Sequence, residues 1–291
     1  MIIDSFPYAG EATQLDIRVH ELESIITKFL IIESNRTQTG LPKPYYFEEQ
    51  KEAFKDFLDK IVYVKLDDSN INYIPESNWS QEFRMRRAIT SEGFNELQKN
   101  GIVLLADDIL IVSDVDEIPR KECVLDFQKR DNQILCLNHL FNSYYLNLYS
   151  NFRSWGWYGS ILIKMGGFTD DIQYLRNVKD RLPHSGNSNE GWHYSNLLFN
   201  GFSSLYNKWK NNIEPHSKEN ILGKENKLRL KKQFEKCLYE DKNFFFCDDP
   251  QKRQILLEKL DISELPQYVQ NNLSKFSHLL FPDNSQLVFE S

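Results

Sequence analysis

The stretch that most limits what this chain can become is ILIVSDVDEIPR, residues 109–120. Four consecutive apolar residues, Ile109 to Val112, are too few for a helix and rich in β-branching. They suit a strand buried on both faces, as in a parallel sheet covered by helices. The strand runs into Asp114, Asp116 and Glu117, and Pro119 interrupts regular structure. In extended backbone alternate side chains share a face, so Asp114 and Asp116 are expected to point the same way. Open α/β sheets bind ligands beyond the carboxyl ends of their strands. Two carboxylates there, with no lysine before Lys121, repel one another unless a cation lies between them. Hard oxygen donors suit Mg²⁺ or Mn²⁺ together with substrate phosphates. A solvated acidic turn is the competing reading.

Upstream, short apolar runs at residues 1–4, 29–33 and 61–66 read as strands. Between them, helical spacing is expected over residues 11–27, 47–58 and 81–100. This alternation predicts an α/β fold built on a doubly wound sheet. Further on, residues 133–140 and 160–164 read as strands. Helices are expected over 175–182, 192–199, 225–239 and 251–260, with a Gly/Ser/Asn loop at 183–191. The expected division is a core over 1–217, with a nucleotide-binding half at 1–120 and an acceptor half at 121–217. A helical extension at 218–291 packs on it.

A length of 291 residues allows a full core. The formal charge of −7 argues against a nucleic-acid partner that relies on net charge. No apolar run is long enough to span a bilayer, and the start carries no basic-then-apolar leader. A cytoplasmic protein with reduced thiols is therefore expected, since the four cysteines show no zinc-ligand spacing.

Several segments in order carry a family resemblance: IIDSFPYAGEATQLDIRVHEL from Ile2, FLIIES from Phe29, TGLPKPYYF from Thr39 and WSQEFRMRRAI from Trp79. DDILIVSDVDEIPR from Asp107, EGWHYS from Glu190 and LPQYVQNN from Leu265 complete the set. The chain resembles glycosyltransferase family 17, the enzymes that add bisecting N-acetylglucosamine. The resemblance implies a GT-A type sheet with a mixed second half and C-terminal helices. It also implies a UDP-sugar donor, N-acetylglucosamine as the transferred sugar, a glycan acceptor and inversion at the anomeric carbon. The animal members have an N-terminal anchor and none is expected here, which leaves the protein N-glycan acceptor open.

Such chemistry calls for a metal to neutralise the departing diphosphate. Asp116 is expected to touch it, Asp114 to hold the ribose or a metal-bound water, and His216 to complete the shell, with His193 the competitor. Inversion by direct displacement needs a base at the acceptor hydroxyl, and Glu190 is the candidate. Its bland reading is a helix N-terminal acid. Ser5, Pro7, Glu11, Glu33, Lys43 and Arg87 are expected around the donor, Arg87 in preference to Arg84. Trp155, Trp157, Tyr158, Trp192 and His193 are expected to line a sugar pocket, because flat rings suit the apolar faces of pyranoses. Two other classes stay open: a metal-dependent nucleotidyl- or phosphotransferase on a Rossmann-like sheet, and a non-catalytic sugar-binding module.

Overall fold

The computed structural model describes residues 1–38, 40–71, 80–150, 156–168, 171–211, 227–240 and 256–282. The chain forms two compact units. The first holds residues 1–139 and 158–192, the second residues 140–157 and 193–291. The segment expected as a C-terminal extension thus belongs to a unit that also takes in mid-chain residues.

The first unit is α/β, as its apolar runs predict. Strands β1 (Ile2–Pro7), β2 (Lys28–Ser34), β3 (Ile61–Leu66) and β4 (Ile109–Val112) lie parallel in the order β3-β2-β1-β4. Residues 161–164 of β8 (Trp157–Lys164) then pair antiparallel with β4. The next neighbour is β6 (Ile134–Ser143), which makes the sheet mixed. All four residues of β4 are at most 1% exposed. Burial of each such aliphatic side chain contributes roughly 1.5–3 kcal/mol. The short β5 (Glu117–Pro119) pairs with β9 (Gly191–Ser195) away from that main path.

Helix α1 (Ala12–Leu22) connects β1 to β2. The segment expected as one helix over 47–58 is a five-residue turn of helix, α2 (Tyr46–Gln50), followed by 3₁₀ backbone. The segment expected over 81–100 is α3 (Ser80–Ala88), then a π turn at Ile89–Gly93, then α4 (Phe94–Lys99). The wider turn changes the helical phase partway along. Helices α5 (Lys121–Lys129) and α6 (Ile172–Asn177) complete the unit.

Residues 192–199 are not helical. They open as β9, in which Trp192 and Tyr194 are buried, and the backbone N–H and C=O groups go to neighbouring strands rather than to a helical ladder. Residues 256–260 correct a second helical expectation. Here β11 (Leu257–Lys259), which follows β10 (Phe199–Gly201), pairs antiparallel with β7 (Leu148–Ser150) in the second unit. Helices α7 (Phe202–Asn211) and α8 (Lys227–Tyr239) share a core there with Tyr144, Leu148, Leu257 and Phe281. The short α9 (Gln267–Asn271) and α10 (Leu273–Phe276) follow. Among the described residues no helix is long and apolar enough to cross a membrane. Cys123, Cys136 and Cys237 are free thiols.

Two glycines let strands of the first unit close around a buried imidazole. A Cβ on Gly159 would lie 2.5 Å from His139 Nδ1, and one on Gly191 would lie 2.4 Å from the Ile118 carbonyl oxygen and 2.8 Å from His139. Because the Ile118 oxygen is backbone, it cannot step aside. Gly191→Ala is expected to cost about 1–3 kcal/mol or more, read as a lowered urea midpoint. An unchanged midpoint would mean that β5 and β9 have slack this packing does not show.

Candidate active site

The acidic turn after β4 is a backbone β-turn in which Glu117 N–H donates to the Asp114 carbonyl at 3.0 Å. Asp114 and Asp116 therefore do not sit on one extended strand as expected. The turn is gripped from beneath by Arg18, fully buried on the inner face of α1. Arg18 makes a fork to both oxygens of buried Asp4, at 2.7 and 2.6 Å. Its Nη1 donates to the carbonyls of Asp114 and Glu117, both at 2.9 Å, and to that of Val115 at 3.3 Å. Its Nη2 donates to Ser113 Oγ at 2.6 Å.

Above the turn the carboxylates meet cations, but the cations are side chains. Arg86 donates to both oxygens of Asp114, at 2.8 and 2.7 Å through Nη2, and Arg176 Nη2 adds a contact at 2.8 Å. Glu117 is fully buried and ion-paired to Arg176 at 2.8 Å and to Lys179 at 3.2 Å. Its Oε2 also accepts the Asp114 N–H at 2.9 Å. Arg176 is anchored in turn on the Gly159 carbonyl at 2.7 Å. Burial works to raise the Asp114 carboxyl, but Arg86 and Arg176 beside it bring it below the usual carboxylate range. Glu82, paired with Arg86 one helical turn away, goes the other way. Burial pushes it up to about 7; Arg86 opposes the rise and Asp114 adds to it.

Asp114 thus has no oxygen without a guanidinium on it, and a divalent ion there would face two positive side chains. Asp114 does not fit as a direct metal ligand. Asp116 is half-buried at the tip of the turn and fits a cation that keeps waters and takes most of its ligands from substrate phosphates. Among the described residues no cluster of three His, Cys, Asp or Glu could hold an ion unaided. His216 lies outside the described residues.

Glu190 is brought close to this turn by strand pairing. The Arg120 N–H, just after β5, donates to the Glu190 carbonyl at 2.8 Å, and the Glu190 N–H donates to Asn138 at 2.7 Å. Because it precedes a strand, the helix N-terminal reading of Glu190 lapses. Its side chain is 3% exposed. Oε2 accepts the Asn138 N–H at 3.0 Å, and Oε1 accepts the Ser185 hydroxyl. The preceding Asn189 has φ +64°, and Arg120 holds it through its carbonyl at 2.9 Å and its side-chain oxygen at 2.7 Å.

The residues expected around the donor divide. Glu33 is fully buried and accepts from Lys43 Nζ (2.6 Å), Tyr46 N–H (2.8 Å), Phe47 N–H (3.0 Å) and Tyr63 OH (2.8 Å). Those four donors fill it, so Glu33 and Lys43 fasten the loop after β2 rather than reach a ligand. Ser5 is buried and its hydroxyl donates to the Ile111 carbonyl at 2.6 Å, tying β1 to β4. Pro7 is half-buried at the end of β1, and Glu11 accepts the Ala9 N–H at 2.8 Å. Arg87 is exposed and pairs with Asp171 at 3.2 Å; its neighbour Arg86 is the residue that faces Asp114. Arg84 pairs with Glu92 at 2.6 Å.

The expected sugar pocket divides as well. Trp192 is 1% exposed, with the Arg120 guanidinium 4.2 Å from its ring centroid, so it has no face to offer a sugar. Tyr158 stacks on His184 at 4.8 Å. In the second unit Trp157 stacks on His193 at 4.5 Å, and Phe141 approaches both rings, at 5.4 and 5.0 Å. Trp155 lies outside the described residues. Arg18, Arg86, Arg176, Lys179 and Ser185 were not foreseen. Arg18 alone had a signal, as a charge at the expected apolar face that carries Leu15, Val19 and Leu22.

A family model described as Glycosyltransferase family 17 matches residues 1–286. The beta-1,4-mannosyl-glycoprotein 4-beta-N-acetylglucosaminyltransferase of Homo sapiens is 32% identical over 129 residues, which cover 43% of this chain and 23% of that protein. The Rattus norvegicus protein of the same name is likewise 32% identical, over 43% of this chain and 22% of its own length. The chain therefore spans about a quarter of the length of these curated relatives. Among solved structures, the apo-form glycosyltransferase GlyE of Streptococcus pneumoniae overlaps with a TM-score of 0.30 at 12% identity, covering 63% of this chain and 44% of that one.

Removing Arg176 takes from buried Glu117 the nearer of Arg176, at 2.8 Å, and Lys179, at 3.2 Å. Arg176→Met is expected to cost about 3–5 kcal/mol of unfolding free energy, and Arg176→Lys to restore part of it. Wild-type stability after Arg176→Met would refute the pairing. The raised carboxyl of Glu82 also has a sign that can be tested. Folding takes up a proton between the ordinary value of 4.5 and about 7, so stability falls as pH rises through that window and levels off above it. The slope is at most about 1.4 kcal/mol per pH unit. Glu82→Gln should flatten this part of the stability–pH curve.

Proposed function

The chain belongs to glycosyltransferase family 17, and from that membership we propose that it moves N-acetylglucosamine from UDP-N-acetylglucosamine to a glycan hydroxyl, with inversion. The carrying observation is one arrangement: an acidic turn locked at the carboxyl end of β4, with Glu190 fixed beside it through the β5–β9 pairing. Asp116 would hold Mn²⁺ or Mg²⁺ together with the donor's diphosphate; when bound, the ion supplies Lewis-acid stabilisation of the leaving phosphate. Arg86 and Arg176 keep the neighbouring Asp114 ionised and immobile, so that the turn does not reorganise as charge develops. Glu190 is the base toward which the acceptor proton moves. Trp157, half-buried and stacked on His193, is proposed as a sugar-facing ring. The names of the relatives point to a β-mannosyl acceptor.

The test is UDP release from UDP-N-acetylglucosamine with Mn²⁺, with and without methyl β-mannoside, alongside mass detection of the product. Asp116→Ala is expected to lower metal-dependent release by on the order of a hundredfold, equivalent to about 3 kcal/mol. Release that is unchanged by Asp116→Ala would remove that residue's role. Transfer of phosphate or a nucleotide in place of sugar would favour the phosphotransferase class.

A further inference from the structure

Glu190 poses a problem for the reading just given. Its carboxylate is almost wholly buried, and each oxygen already has a donor: the Asn138 N–H on one, the Ser185 hydroxyl on the other. A base must meet the proton it takes, directly or through one intervening group. Ser185 is that intervening group. It is half-buried, in the loop 183–189, whose other residues are half-buried or exposed.

The hydroxyl inventory of Ser185 can be counted. A serine has one proton to give and two lone pairs. Its proton goes to Glu190 Oε1, and one lone pair accepts the Asn187 N–H at 3.0 Å. Among the described residues no donor reaches the second lone pair. A hydroxyl whose proton is directed inward to a carboxylate, with one acceptor position left, is arranged to receive a proton from outside.

We propose that Ser185 is a catalytic residue that relays the acceptor proton to Glu190. This rests on the assignment of Glu190 as the base. In the transfer step the acceptor oxygen forms a bond to the anomeric carbon of the donor sugar, and the bond from that carbon to the diphosphate oxygen breaks. Its electron pair leaves on the diphosphate. The acceptor proton moves to Ser185 Oγ as the original Ser185 proton moves to Glu190 Oε1. Glu190 ends protonated and Ser185 ends as a hydroxyl, so the step needs no further reactant. Return of the proton to solvent follows the same path outward, since half-buried Ser185 is the less buried end of it. The Asn187 N–H holds the serine oxygen in place throughout.

The experiment compares Ser185→Ala, Ser185→Thr and Glu190→Gln in the full chain, using UDP release from UDP-N-acetylglucosamine with methyl β-mannoside or water as acceptor. Donor affinity by calorimetry and melting temperature are measured on the same samples. A proton-transfer group contributes typically 10²–10⁴-fold. Ser185→Ala is expected to lose about a hundredfold or more in kcat with donor affinity kept, and Ser185→Thr to recover to within about tenfold of the wild type. The solvent deuterium effect on kcat should shrink in the alanine variant, because a two-proton transfer is then lost. Wild-type kcat in Ser185→Ala, or a threonine variant as slow as the alanine one, overturns the relay. If that occurs while Glu190→Gln is inactive, the base assignment stands without it. Full turnover by Glu190→Gln removes the base assignment itself, and the relay with it. No turnover by the unaltered chain on this donor overturns both.

Discussion

Arg18 and Asp4 form the contact on which the site depends. A buried ion pair is destabilising unless the geometry is good and every remaining polar group is satisfied. Here the fork to Asp4 is complete, the spare guanidinium protons go to three carbonyls and a hydroxyl of residues 113–117, and the Phe6 ring lies 4.5 Å from the guanidinium carbon. One side chain thereby joins α1, β1 and the acidic turn. The backbone of that turn cannot move without exposing a buried guanidinium, so its carboxylates are presented from a fixed base.

The same logic explains how four acids, Glu82, Asp114, Asp116 and Glu117, are tolerated within a small region. Three of them are compensated by Arg86, Arg176 and Lys179, drawn from two helical segments at residues 80–88 and 172–181. Asp114 and Glu117 are thereby framework, whatever their place in the turn suggests. Asp116 is half-buried at the tip, and it is there that the metal reading concentrates. Electrostatic preorganisation of this kind is worth most where water is excluded, which is the condition around Glu117.

The parallel strands were legible because strands buried on both faces are continuous apolar runs: Ile109–Val112 and Ile61–Leu66 begin and end where the sequence indicates. The strand β9 was not, since Trp192, His193 and Tyr194 carry no period that separates a short strand from a helix. That Arg86 is the arginine facing Asp114 was not legible, for a geometric reason. Adjacent residues on a helix point about 100° apart, and no neighbour in sequence fixes which one meets the turn. Arg176 is 62 residues from Asp114. No local pattern encodes a contact of that span, and Glu190 became a neighbour of the turn only through the β5–β9 pairing.

The first unit is made of two pieces of chain, 1–139 and 158–192. Its acidic turn is translated early, yet Arg176, Lys179 and Gly191 arrive late. During synthesis Arg176 and Lys179 reach the buried carboxylate of Glu117 only after some sixty residues more have emerged. The site therefore cannot mature stepwise from the N-terminus; it waits on long-range closure, the slow kind of folding in which loop entropy must be overcome before contacts form. A nascent chain halted near residue 140 would carry four parallel strands, the Arg18–Asp4 fork and the Arg86 pairs, but neither Arg176 nor Lys179.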